Sequence, residues 1–212
     1  MASTTSSKKG SKLSKIFLRI GFTLFLTGLA LFFFSFYRVL WQETKYNLTN
    51  LTNRTNLTNK PIKPIDEEFG IVIPKINANA KVISNVDPYD SKDYQYALTK
   101  GVAHAKGTAF PGHAGNTFIF AHSSVDWYIA NRYNSVFYLL NKLEKGDKIE
   151  MYYKKKKYVY EVSEKKMVEA SDVSHLDPLT KSGSVLTLMT CWPPGTTLKR
   201  LIIQAKIKTL DK

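Results

Sequence analysis

The sequence predicts a mostly-β domain, a closed or nearly closed barrel with small helices at its corners, preceded by an N-terminal transmembrane helix. Three observations predict it. An uncharged stretch rich in Leu and Phe stands near the start of the chain. Short apolar or alternating runs bounded by turn residues recur from residue 67 onward, and helical signals there are few and short.

Residues 1–15 are dominated by Ser, Thr, Gly and Lys, and eighteen uncharged residues then separate Arg19 from Arg38, with the interfacial aromatic Trp41 just beyond. At about 1.5 Å per residue, with the flanking arginines snorkelling, this covers most of a ~30 Å hydrocarbon core, and residues 16–41 read as an anchor. A cleaved signal peptide is the rival. Its apolar region is usually about 7–15 residues and ends at a small-x-small site, whereas this one ends in Phe-Phe-Phe-Ser-Phe-Tyr-Arg. Lys8, Lys9, Lys12, Lys15 and Arg19 make a purely basic front, while Arg38 and Lys45 are mixed with Glu43. The positive-inside rule therefore predicts a single-pass cell-membrane protein, N-terminus cytoplasmic and the domain extracytoplasmic.

Residues 42–66 include a period-three tract with Asn at 47, 50, 53, 56 and 59, closed by Pro61 and Pro64. With so little apolar content it reads as an extended linker. Four of its asparagines satisfy Asn-x-Ser/Thr, which carries meaning only in a eukaryotic secretory route.

In residues 67–212, FGIVIPKI and AKVISNV read as strands around a short polar turn, and NTFIFAH as a buried strand. Ile149, Met151 and Tyr153 alternate, Lys154 to Lys157 turn the chain, and Tyr158, Tyr160 and Val162 resume the alternation, which is a hairpin. SVLTLMTC and RLIIQAKI are two further runs separated by WPPGTTLK. SKDYQYAL predicts one or two helical turns capped by Asp90 or Ser91, and Ser135 to Leu143 predicts another.

The 212 residues carry 31 Lys and Arg against 17 Asp and Glu, a net charge of +14 that raises nucleic-acid binding as a hypothesis. The topology argues against it: an extracytoplasmic domain meets anionic lipid and envelope polymer, and the run Lys154 to Lys157 is a solvated turn. No nucleic-acid partner is expected. Asp87, Asp90 and Asp93 lie close together without a calcium-loop pattern, and no phosphate-cradling glycine loop is present, so neither a metal nor a cofactor is expected.

A single cysteine excludes a disulfide framework and a Cys-based zinc cluster. A lone buried cysteine is ordinarily an inert small hydrophobe. Cys191, however, stands where an apolar strand leaves the sheet, and Arg200 opens the next strand nine positions on. If those strands are antiparallel neighbours, thiol and guanidinium reach one patch, and the fixed fork of arginine suits a developing oxyanion. A thiol nucleophile also needs a base, because cysteine ordinarily titrates near ~8.5. His122 ends its strand and emerges at a terminus, whereas His104, His113 and His175 favour structural or merely exposed roles.

These residues resemble the sortases. TLMTC is similar to the TLxTC signature of that family, and the His of FIFAH, the Cys-to-Arg spacing and the preceding GxxxPGxxGN stretch fall in the family's order, over roughly residues 69–208. The resemblance implies an eight-stranded β-barrel behind a membrane anchor. It also implies transpeptidation of surface proteins bearing a C-terminal LPxTG-like sorting signal, passed through a thioester to an amine acceptor of the cell envelope. Cys191 would be the nucleophile, His122 the general acid and base, and Arg200 the residue that positions substrate and stabilises the oxyanion, with Thr190 and Trp192 as substrate-binding candidates. Trp192 packing over the thiol, contacting substrate or plugging the barrel all remain open. The short loop after the cysteine is more similar to class D or E enzymes than to pilus-building ones. Pilus-type lids carry an Asp-Pro-aromatic motif, but Asp87-Pro88-Tyr89 follows two predicted strands and reads as a turn. Two rivals stay open beside the transpeptidase: a thiol hydrolase with water as acceptor, and a non-catalytic envelope-binding module in which Cys191 is core.

Overall fold

The structure, a computed structural model, describes residues 14–33, 44, 48, 61–123, 136–176 and 183–208. Two compact units divide the chain, Met1–Lys45 and Tyr46–Lys212. In the first, helix α1 (Ser14–Phe33) is long and apolar enough to cross a membrane, its 20 residues spanning about 30 Å. The remainder of the expected span, and most of the tract up to residue 60, lies outside the described residues.

The second unit contains β1 (Phe69–Ile73), β2 (Ala78–Val86), α2 (Ser91–Leu98), β3 (Val102–Ala105), β4 (Gly115–Phe120), β5 (Lys148–Tyr153), β6 (Lys156–Glu169), β7 (Ser184–Trp192) and β8 (Lys199–Ile207). The eight strands close a barrel in the order β1-β2-β3-β4-β7-β8-β6-β5. β2 with β3 and β4 with β7 pair in parallel, and the other pairs are antiparallel. Seven of the strands coincide with runs legible in the sequence. The eighth, β3, is the four-residue VAHA, too short and too rich in alanine to declare itself by pattern.

Closure explains the alternation. Ile149, Met151, Tyr160, Val162, Leu186, Leu188, Leu201 and Ile203 are buried in one continuous core. Each such aliphatic side chain contributes about 1.5–3 kcal/mol by leaving water. The lysine-rich turn is tighter than its sequence suggests. Lys154 and Lys155 alone form it, both at positive φ (50° and 61°), while Lys156 and Lys157 already belong to β6. Such a two-residue turn matches the twist of its strands. Its N–H groups are taken by the carbonyls of Glu68 and Glu67, so the chain enters the barrel beside the hairpin tip.

α2 forms as expected, with Asp90 as its N-cap: one carboxylate oxygen accepts from the N–H groups of Lys92 (2.9 Å) and Asp93 (3.3 Å). Eight residues make a marginal helix in isolation, so packing must hold it. Ala97 and Leu98 are buried, and Tyr94 meets Phe120 edge-on at 6.5 Å. The other expected helix is reduced to a 3₁₀ turn at Leu140–Lys142, and Ser135 lies outside the described residues. Asp87-Pro88-Tyr89 lies in the turn between β2 and α2, its Asp87 carboxylate accepting from the Tyr89 N–H.

His104 is fully buried on β3, stacked on Phe110 at 4.7 Å and tilted against Phe69. Its Nδ1 accepts the Asn85 N–H, and its Nε2 lies 3.1 Å from the Ala109 carbonyl and 3.0 Å from the Thr108 hydroxyl. Burial holds the imidazole below its ordinary titration range. The unfolded chain therefore takes up a proton that the folded state refuses. The stability due to neutral His104 is complete above the ordinary pKa of about 6.5 and is lost as pH falls through and below it. His175, also lowered mainly by burial, acts in the same direction. Urea midpoints should fall between pH 7.5 and 5, and His104→Asn, less stable throughout, should show a shallower fall over that interval. Asp90→Ala should cost about 1 kcal/mol in the same titration at pH 7.

Candidate active site

The three candidate side chains, His122, Cys191 and Arg200, stand at or just beyond the ends of β4, β7 and β8. β7 and β8 are antiparallel neighbours, and Cys191 stands directly opposite Arg200. A cross-strand pair on one face places Cβ atoms about 5 Å apart, so the thiol and the base of the guanidinium stem share one patch. On the other side of β7, β4 runs parallel with Phe120 beside Met189. His122 lies two residues past the end of β4, and Cys191 two residues past Met189 on β7, so both stand at the same end of this strand pair. Cys191 and Arg200 thus face each other across β7 and β8, with His122 in the segment that follows β4.

The arrangement is fixed just below the surface. Thr190 is 2% exposed, and its hydroxyl donates to the Ala121 carbonyl at 2.8 Å, tying the end of β7 to the residue preceding His122. The Ala121 N–H donates to the Met189 carbonyl at 3.2 Å. Thr190 is therefore already committed as a strut between strands. Lower on the same pair, the Thr187 hydroxyl donates to Asn116 Oδ1 at 2.8 Å, and Asn116 Nδ2 donates to the His175 carbonyl. One buried amide thereby ties β4, β7 and the connection between β6 and β7.

Cys191, His122 and Arg200 are all half-buried, so each remains accessible from solvent. Arg200 Nη1 donates to the carbonyls of Thr197 and Lys199, each at 3.1 Å, which orients the fork over the β7–β8 connection. No carboxylate pairs with this guanidinium among the described residues. His122 Nε2 lies 3.3 Å from Gln95 Oε1, on α2. Trp192 is partly buried against the core cluster, and strand alternation puts it on the face opposite Cys191. Ser123, next to His122, is buried, and its hydroxyl has no hydrogen-bond partner among the described residues.

Sequence reasoning missed Gln95 and Asn116. A polar residue in a short helix and an Asn opening a strand carry no local pattern, since their partners lie 27 and 71 positions away. The remaining histidines are elsewhere. His104 is the buried ring described above, His113 is exposed beside Tyr153 at 6.5 Å, and His175 sits 3.6 Å from Asp172.

Known proteins share this sequence pattern and this fold. A sortase-domain profile matches residues 71–208. Sortase D of Bacillus subtilis strain 168 is 31% identical over 137 residues, covering 63% of this chain and 60% of the relative. The chain thus matches somewhat under two thirds of that protein's length. A Clostridium perfringens sortase D5 transpeptidase superposes with TM-score 0.54 at 25% identity, covering 79% of this chain and 93% of that one. Sortase C1 of Streptococcus suis superposes with TM-score 0.55 at 23% identity, covering 67% and 74%. With its profile match, its eight-stranded closed barrel and its class D relative, the chain belongs to the sortase family.

Proposed function

We propose that this chain is a membrane-anchored sortase that cleaves an LPxTG-like sorting signal and passes the surface protein to an amine of the cell envelope. The observation that carries the proposal is the cross-strand pairing of Cys191 with Arg200, with the register of β4 bringing His122 to the other side of the thiol. Residues 67–212 are the catalytic domain in this proposal, and α1 is the core of an anchor over residues 16–41 that leaves the N-terminus in the cytoplasm. The basic residues ahead of the apolar stretch support that orientation.

The Cys191 thiolate attacks the carbonyl of the scissile Thr-Gly bond. Negative charge develops on that oxygen, and the Arg200 fork is oriented to stabilise it in a partly dry site. His122, as imidazolium, protonates the departing amine, and the collapse leaves an acyl-enzyme thioester. An incoming amine then attacks the thioester while neutral His122 takes its proton. Water at the same position gives hydrolysis, so the acceptor that reaches the cleft decides the product. Thr190 serves as the strut that sets the Cys191 to His122 spacing, and Trp192 as a plug behind the nucleophile.

The full chain in detergent, given LPxTG-type peptides and an amine acceptor, should accumulate a covalent adduct on Cys191 detectable by mass spectrometry. Failure to form any adduct, together with a thiol that resists iodoacetamide in the folded protein, would leave an envelope-binding module instead. Cys191→Ala should abolish acyl transfer without moving the thermal midpoint by more than a few degrees. Arg200→Ala should lose at least ~100-fold in kcat/KM, the scale of a removed oxyanion donor. The rate should be bell-shaped in pH, falling on the acid side with the thiolate and on the alkaline side with the imidazolium; a profile flat from about pH 5 to 10 would remove the paired ionisation.

A further inference from the structure

The Gln95 side chain on α2 meets His122 across 27 residues of sequence. Its position follows from the packing of the helix. Tyr94 rests on Phe120 at the end of β4, and Ala97 and Leu98 are buried beneath, so the intervening turn of α2 lies over the segment that carries His122. The contact joins ring Nε2 to the amide carbonyl oxygen at 3.3 Å. A carbonyl oxygen only accepts, so the proton is on Nε2 whenever this bond is made, in the neutral ring as well as in the imidazolium. The proton that comes and goes must then be the one on Nδ1.

We propose that Gln95 is a positioning residue of the catalytic site: by accepting the Nε2–H of His122 it fixes the ring and confines proton exchange during acyl transfer to Nδ1. The inference rests on His122 being the general acid and base. It adds the tautomer and the residue that sets it. Because an imidazolium donates a stronger bond than a neutral ring, the amide carbonyl also favours the charged form that must protonate the departing amine. The other titratable or charged groups on the neighbouring elements are Cys191 on β7, Arg200 on β8 and, on α2, Lys92, Asp93, Tyr94 and Tyr96, the last taken up by Lys100. The Asp93 carboxylate is engaged by the Asp87 N–H. Asp126 and Arg132 lie outside the described residues.

The test uses the full chain in detergent micelles with ¹⁵N-labelled histidine, the His122 signals being assigned by their loss in His122→Ala. In the unaltered chain, His122 Nε2 should keep a protonated shift across its titration while Nδ1 moves. In Gln95→Leu, the neutral ring should become a mixture of tautomers, with a midpoint lower by about half a pH unit. Iodoacetamide labelling of Cys191 at pH 7 should slow about threefold, the same half unit expressed as a rate. Gln95→Glu should restore the single tautomer and raise the midpoint by about half to one unit, a modest gain because the residue is exposed. Nε2 titrating while Nδ1 stays protonated would overturn the proposal, as would a midpoint unmoved in both variants. A fully active His122→Ala would remove the catalytic reading itself, and the nitrogen shifts would still decide whether Gln95 sets the tautomer.

Discussion

The site depends on the register of three strand ends. β4, β7 and β8 are consecutive in the barrel; the antiparallel pairing sets 191 opposite 200, and the parallel one carries the chain to residue 122 at the same end of β7. A slip of one residue in either pairing would turn one of the three to the opposite face. What prevents a slip is buried: Leu186, Leu188 and Ile203 interdigitate inside the barrel, and the hydroxyls of Thr187 and Thr190 tie β7 to β4 at two levels. The chemistry is therefore specified by packing some distance from where it takes place.

This also accounts for the division of labour along TLMTC. Leu188 faces the core, Thr190 holds the neighbouring strand, and Cys191 is the last of the outward-facing positions Thr187, Met189 and Cys191, where the strand ends. Alternation leaves little freedom: the residues on either side of the nucleophile are both directed away from it. The connection to β8 adds the last constraint, because the carbonyls of Thr197 and Lys199 hold Arg200 before any substrate arrives. In the proposed mechanism, little side-chain reorganisation is then required of the guanidinium.

Most strands were legible because their inward faces must be apolar and their turns must be polar. Asp90 was legible as a cap because the side chain of a cap acts on backbone within three residues. β3 was not, since alanine and histidine buried on both faces leave no alternation to read. The four-lysine turn was overestimated because charge marks solvent exposure, and exposed residues at the start of β6 carry it as readily as a turn does. Cys191, His122 and Arg200 could be singled out by position at strand ends. Gln95, Asn116 and the inter-strand part played by Thr190 depend on partners far away in sequence, and only folding brings those together.

β6 runs from the hairpin tip, where the chain enters beside Lys154 and Lys155, to Glu169, which pairs with Lys199 next to Arg200. Its 14 residues trace a path of roughly 45 Å, bent at a bulge. The entry of the chain at Phe69 and the Cys191–Arg200 pair thus lie towards opposite ends of β6. Residues added or deleted ahead of Phe69 fall outside the strand pairings that set the Cys191–Arg200 register. The length of the lead-in segment and the internal spacing of the barrel are consequently separable in the sequence.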